Sequence, residues 1–166
     1  MPISNGDAMD MARGEAKAGI REGGEPVGAV IVTDGEILGR GRNRLHQDSD
    51  PTAHEEMEAY RNTARKLRTD HGANGLKERL FGASVFTTAM PCEMCKGTIL
   101  RFRAARVVVA ETATYRPAGT QSLMESLGVT VDLLDDAQTV TMIRQYLDVH
   151  PDRRAAFEQG DNRPVL

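Results

Sequence analysis

The sequence has no tryptophan, and only three tyrosines and four phenylalanines among its 166 residues. An interior built from it must rest on Val, Ile, Leu, Met and Ala. Long apolar runs are missing as well. No stretch approaches the roughly 20 apolar residues of a membrane span, and the opening MPISNGDAMDMARGEAKAGI lacks the apolar core of a secretory signal. The expected setting is therefore cytoplasmic, with no membrane partner. Cysteine is scarce: two residues cannot make a disulfide framework, and their separation by three positions points to metal or redox chemistry. Basic excess is absent too. Lys and Arg number 21 against 24 Asp and Glu, a net charge of −3, which disfavours a nucleic-acid partner. The apolar share is 40% and the mean hydropathy −0.42. The length still suffices for a sizeable core and fits one domain over residues 1–166.

No internal repeat, low-complexity tract or linker divides the chain. The first 22 residues read as a helix, with Ala8, Met11, Ala12, Ala16 and Ile20 near helical spacing, ended by Gly23-Gly24 and Pro26. Val27–Val32 and Ile37–Arg42 read as strands joined by an Asp34-Gly35 hairpin turn. Asn43–Thr52 reads as polar loop, Ala53–Leu67 as helix, and Arg68–Gly75 as loop followed by a short helix. Strands and helices then alternate: Ala83–Thr88 strand, Cys92–Arg103 helix, Arg106–Ala110 strand, Gln121–Leu127 helix closed by Gly128, Val129–Leu134 strand, Ala137–Leu147 helix. The pattern predicts an α/β fold with βαβ crossovers and a mixed sheet of about five strands. Residues 150–166 read as a C-terminal helix or arm. Asp135-Asp136 reads as a helix cap, the Arg101, Arg103, Arg106 cluster as a solvated helix end, and His46, His71 and His150 as surface histidines.

The chemistry sits in two segments, His54-Glu55-Glu56 and Pro91-Cys92-Glu93-Met94-Cys95, each at a predicted helix start. Zinc favours imidazole nitrogen and thiolate sulfur, and catalytic sites keep three protein ligands with an open position. Cys92 and Cys95, three apart, can face one ion, and a helix N-terminus favours thiolate over thiol. His54 supplies the third ligand to one Zn²⁺ per chain. Glu56 is two residues from His54 and does not share its face in a regular helix, so it reads as a proton carrier beside the metal. A lone C-x-x-C is as readily redox-active or incidental, and a lone H-x-E arises by chance. Together they form the H-x-E…P-C-x-x-C signature of zinc deaminases, in which an activated water attacks an amidine-like carbon and ammonia leaves.

Through EGGEPVGAVIV, GRGRN, TAHEE, FTTAMPCEMCKGTIL and ARVVVAE, the chain resembles the cytidine deaminase superfamily, in particular its small free-base branch typified by fungal cytosine deaminase. The resemblance implies a three-layer α/β/α fold with a five-stranded sheet flanked by helices, usually a homodimer. It implies His54, Cys92 and Cys95 as zinc ligands and Glu56 as proton shuttle. It also implies substrate contacts from Asn43, from the backbone N–H groups of Glu55 and Cys92, and from Tyr115 stacking over the base. Without the resemblance Asn43 reads as a turn residue and Tyr115 as partial core. In the C-terminal arm, over RRAAFEQGDN, Phe157 is the candidate lid aromatic and Glu158 the candidate acid, with Gln159 or Asp161 as alternatives in register. Three departures from the branch stand out: Glu55 replaces a small residue, the interval to Cys92 is long around RTDHGANGLKERL, and the arm differs. The expected reaction is hydrolytic deamination of a small free nucleobase, cytosine or a close aminopyrimidine. The alternatives are guanine or an s-triazine-type base, a tRNA adenosine, and a catalytically silent zinc-binding module.

Overall fold

Asp34 and Gly35 supply the two consecutive positive φ angles, 51° and 76°, that a tight two-residue hairpin turn demands. They join β1 (Gly28–Thr33) to β2 (Glu36–Arg42) in antiparallel register, Thr33 opposite Glu36 and Gly28 opposite Arg42. The computed structural model describes residues 1–159 and, within the helices, all side chains but those of 69–74 and 158–159. Three further strands, β3 (Ser84–Thr87), β4 (Arg106–Val109) and β5 (Thr130–Leu133), complete a sheet of order β2-β1-β3-β4-β5. β1 runs antiparallel to both neighbours, whereas β3, β4 and β5 are parallel. The mixed five-stranded sheet expected from the sequence is thus present.

Side-chain alternation along the strands makes two cores. Val30, Val32, Phe86 and Val108 face Ala8, Met9 and Ala12 of α1 (Asn5–Arg21). Ala29, Ile31, Val85, Val107 and Val109 face the other way, against Ala59, Tyr60, Leu67 and Leu80 of α3 (Glu55–Leu80), Ile99 of α4 (Glu93–Arg101) and Met124 of α5 (Thr120–Ser126). A third cluster joins Ile143, Tyr146 and Leu147 of α6 (Ala137–Val149) to Ile20 and to Phe157 of α7 (Pro151–Gln159). Aliphatic residues dominate all three clusters, as the scarcity of aromatics requires. α1 is capped by Ser4, whose Oγ accepts from the Asp7 N–H at 3.1 Å. α6 is capped by Asp136, which accepts from the Gln138 N–H at 3.1 Å, as expected.

Two local expectations are corrected. The segment 68–75, read as loop, lies inside α3, which continues unbroken to Leu80. Gly72 and Gly75 each cost a helix about 1 kcal/mol relative to alanine, but no proline interrupts, and Leu76 and Leu80 return to the core beyond them. Within the expected loop 43–52, residues Leu45–Asp48 form one helical turn, α2.

The α3–β2 contact sets the position of the site. Gly39 and Gly41 of β2 lie so close under α3 that a Cβ on Gly41 would sit 2.3 Å from the Ala59 nitrogen and 2.6 Å from the Glu55 carbonyl oxygen. The GRGRN motif is therefore a bare strip of strand on which the first turns of α3 rest.

Candidate metal centre and cavity

Both motifs begin helices, and their first residues stand just outside them. His54 is the N-cap of α3, with extended backbone (φ −75°, ψ 159°), and Cys92 is the N-cap of α4 (φ −75°, ψ 179°). Neither side chain caps its own helix; both turn to the gap between the two helix N-termini. His54 Nδ1 lies 3.4 Å from Cys92 Sγ, and one donor atom each from His54, Cys92 and Cys95 falls within 4.8 Å of the others. Cys95 is fully buried. A nitrogen and a sulfur bound to zinc at about 2.0 and 2.3 Å in a tetrahedron stand roughly 3.5 Å apart, so the donors present fit this ion in type and in spacing. The electrostatics agree. The Cys92 thiol is pulled down to about 4, first by the hydrogen bond from Cys95 and then by His54. The His54 imidazole is raised to about 10, chiefly by Cys92. The hydrogen bond to Cys92 first, and burial second, push the Cys95 thiol upward. This environment favours the thiolate of Cys92, the form a metal requires.

Glu56, 1% exposed, lies under this centre rather than on the cavity wall. The Thr87 hydroxyl at the end of β3 reaches its Oε1 at 3.1 Å and the Ala89 carbonyl oxygen at 3.0 Å. Burial first, and the charge of Cys92 second, raise its carboxyl above the usual range.

Above the centre opens a cavity of about 220 Å³, lined by Glu25, Val27, Asn43, Leu45, His54, Glu55, Ala89, Met90, Cys92, Tyr115, Ala156 and Phe157. That is smaller than the roughly 300–1,000 Å³ of drug-sized sites, a size for one small ring. Asn43 is 2% exposed. Its Oδ1 accepts from the Leu45 N–H at 2.9 Å, so it is both the turn residue and the cavity residue that the sequence left open. With the oxygen committed, its side-chain nitrogen is the group that can meet a ligand.

The zinc-binding region of cytidine and deoxycytidylate deaminases matches residues 3–111. The chain belongs to this deaminase family. A cytosine deaminase of Candida albicans is 29% identical over 155 residues, covering 91% of this chain and 94% of that one. A tRNA-specific adenosine deaminase of Aquifex aeolicus is 35% identical over 100 residues, 60% of this chain and 61% of its own length. Among solved structures, a guanine deaminase from Nitrosomonas europaea superimposes with a TM-score of 0.70 at 21% identity, over 87% of this chain and 85% of that one; this likeness speaks for the fold.

The remaining expected residues of the deaminase come from two loops and the last helix. Tyr115 lines the cavity and meets Phe157 edge-on, ring centroids 6.1 Å apart at 60°. α7 is held by Arg153, which donates to the Gly23 carbonyl oxygen at 3.0 Å and to the Tyr146 hydroxyl. The side chains of Glu158 and Gln159, and all of Asp161, lie outside the described residues. Sequence reasoning missed Glu25, at the rim beside His46 (3.4 Å), and Glu111. The buried Glu111 carboxyl accepts from the Ala113 and Thr114 N–H groups at 2.8 and 2.9 Å and from the Thr114 hydroxyl, which shapes the loop that delivers Tyr115. An acid directly after an apolar strand, followed by Thr-Ala-Thr, was the available signal for it. Among the described residues no helix is long and apolar enough to cross a membrane.

Proposed function

We propose that this deaminase hydrolyses the exocyclic C–N bond of a small free aminoheterocycle, with cytosine or a close aminopyrimidine as the reference substrate, and releases ammonia. The observation that carries the reading is the stacking of a His-Cys-Cys donor set and a buried Glu56 beneath a cavity sized for one ring. His54, Cys92 and Cys95 would hold the zinc, which when bound would supply a water acidified to near neutrality. Glu56, raised by burial and oriented by Thr87, would hold and return a proton at its carboxyl oxygen beside the donor set. The Asn43 side-chain nitrogen donates to a ring acceptor, and backbone N–H groups at the starts of α3 and α4 add further donors. Tyr115 and Phe157 cover the ring, and Glu158 is the acid assigned to the exocyclic amine.

The relative from Candida albicans, matched over 94% of its length, supports a free pyrimidine. Among the described residues no lysine or arginine lines the cavity. This lining favours an uncharged base over a nucleotide and leaves the tRNA reading without a phosphate contact at the site. The homodimer implied by the family resemblance belongs to this reading, and light scattering at twice 18.1 kDa is its check.

The test is ammonia release from a panel of cytosine, isocytosine, guanine, aminotriazines, cytidine and a tRNA stem-loop, by wild type and Glu56→Gln, with zinc measured in both. Turnover of a free base by the wild type, reduced at least about 100-fold in a variant that keeps its zinc, is the expected result. Release only from the stem-loop, or equal rates in the two proteins, refutes the reading.

A further inference from the structure

Two acidic residues line the cavity, Glu25 and Glu55. Glu25 has a partner at the rim, His46 Nε2 at 3.4 Å. Glu55 is different. It is the first residue of α3, directly after His54, and is only 5% exposed. A carboxyl buried to that degree is costly unless something donates to it. The other buried acids of the region are supplied: Glu56 by Thr87, Glu111 by Thr114 and two backbone N–H groups. Among the described residues no other side chain is hydrogen-bonded to the Glu55 carboxyl; its donor is its own backbone N–H, and the residue lines the cavity.

The rest of the lining restricts what can complete it. Asn43 has spent its oxygen on the Leu45 N–H and presents a donor. Tyr115 and Phe157 present ring surfaces, and Val27, Leu45, Ala89, Met90 and Ala156 offer no polar side-chain group. A ring that satisfies this wall needs an acceptor for Asn43 and, on another edge, N–H groups for Glu55. A carboxyl group is matched best by two parallel N–H donors on one planar unit.

We propose that Glu55 is a specificity-determining residue whose two oxygens accept adjacent N–H groups, selecting a free base in which a ring N–H flanks the exocyclic amine. That H–N–C–NH₂ edge is shared by isocytosine and guanine. Cytosine lacks it, because the ring nitrogen beside its amino-bearing carbon carries a lone pair. The inference rests on the deaminase reading above and, within its class of small aminoheterocycles, replaces cytosine by bases with the isocytosine edge as the preferred substrate.

Isocytosine and cytosine are isomers of equal size, so their comparison isolates the edge. The experiment measures kcat/KM for both bases with zinc-loaded wild type, Glu55→Gln and Glu55→Ala. The wild type is expected to favour isocytosine by about 10- to 100-fold, the cost of leaving a buried hydrogen-bonding group unpaired by the wrong ring. Glu55→Ala should lose most of that ratio, and Glu55→Gln, which keeps one acceptor oxygen, should fall between. General damage to the fold lowers both rates and leaves the ratio intact. A ratio unchanged in Glu55→Ala, or a wild type that favours cytosine, overturns the proposal. If Glu55→Ala fails to fold, the Gln variant alone decides by the same ratio. If the wild type releases ammonia from neither base, the deaminase reading fails for these rings. Calorimetric affinities of isocytosine and cytosine for the zinc-loaded protein then test Glu55 separately: a 10- to 100-fold difference that vanishes in the variants supports it, and equal affinities in the wild type overturn it.

Discussion

Replacing Gly41 by alanine tests whether the β2 strip positions the catalytic helix. A methyl group there would meet the Ala59 nitrogen at 2.3 Å, the Glu55 carbonyl oxygen at 2.6 Å and the Glu58 carbonyl carbon at 2.7 Å. All three are backbone atoms of the first turns of α3, so no side-chain rotation relieves the overlap. Restoring the 3.4 Å of ordinary contact separates helix from strand by about 1 Å. The same turns carry Glu55 and Glu56 and adjoin His54, while Cys92 caps and Cys95 rides on α4, a separate element. The shift therefore alters the geometry between His54 and the thiols. Overpacking of this kind costs about 1–3 kcal/mol, which for a chain of this size lowers Tm by about 2–12 °C. A displacement of about 1 Å at a reacting centre costs on the order of 100-fold in rate. Thermal unfolding, zinc content and ammonia release on Gly41→Ala measure all three quantities. Gly14→Ala is the control. Its added methyl meets nothing within 4 Å, in the middle of α1, so it should be neutral or stabilising by about 0.4–1 kcal/mol. A Gly41→Ala protein with wild-type Tm, full zinc and full rate would show that α3 is not seated on this strip.

The sheet was legible because its signals are local and redundant. Asp-Gly between two apolar runs fixes a hairpin, and alternating residues such as Val30/Ile31 and Val107/Val108 divide cleanly between the two cores. The zinc ligands were legible for a reason only partly right. Spacing rules for residues inside a helix were applied to His54 and Cys92, but both are N-caps with extended backbone. That is why His54 and Glu56, two apart, reach the same centre, and why Cys92 meets Cys95 from outside the helix. The continuation of α3 past Arg68 was not legible. Two glycines and several polar residues give no apolar period there, and the helix is decided by Leu76 and Leu80 finding the core beyond. Glu25 and Glu111 were missed because topology alone gives them a role. One precedes β1 and the other follows β4, and nothing in either segment announces that Glu25 and Tyr115 line one cavity with His54 and Cys92.

Two further outcomes are expected. Glu111→Ala leaves the Ala113 and Thr114 N–H groups without their acceptor, a loss of about 1–3 kcal/mol. Because the loop delivers Tyr115, KM should rise more than kcat falls; an unchanged Tm together with an unchanged KM refutes the assignment. The second outcome concerns Cys92. Its thiol titrates at about 4, against about 8.5 for an ordinary cysteine, so in zinc-stripped protein the thiolate fraction is already near one at pH 6. Alkylation by iodoacetamide, followed by peptide mass spectrometry, should then proceed at Cys92 with a rate nearly flat from pH 6 to 8. An ordinary thiol speeds up about tenfold per unit over that range. Cys95, pushed upward and fully buried, should stay unlabelled. Restoring zinc engages the Cys92 lone pairs and should stop the labelling, since coordination and alkylation compete for the same electrons. A rate that climbs tenfold per unit refutes the thiolate assignment. Undiminished labelling with a full zinc equivalent bound removes Cys92 from the ligand set, and with it the fit of this centre to a three-ligand catalytic zinc.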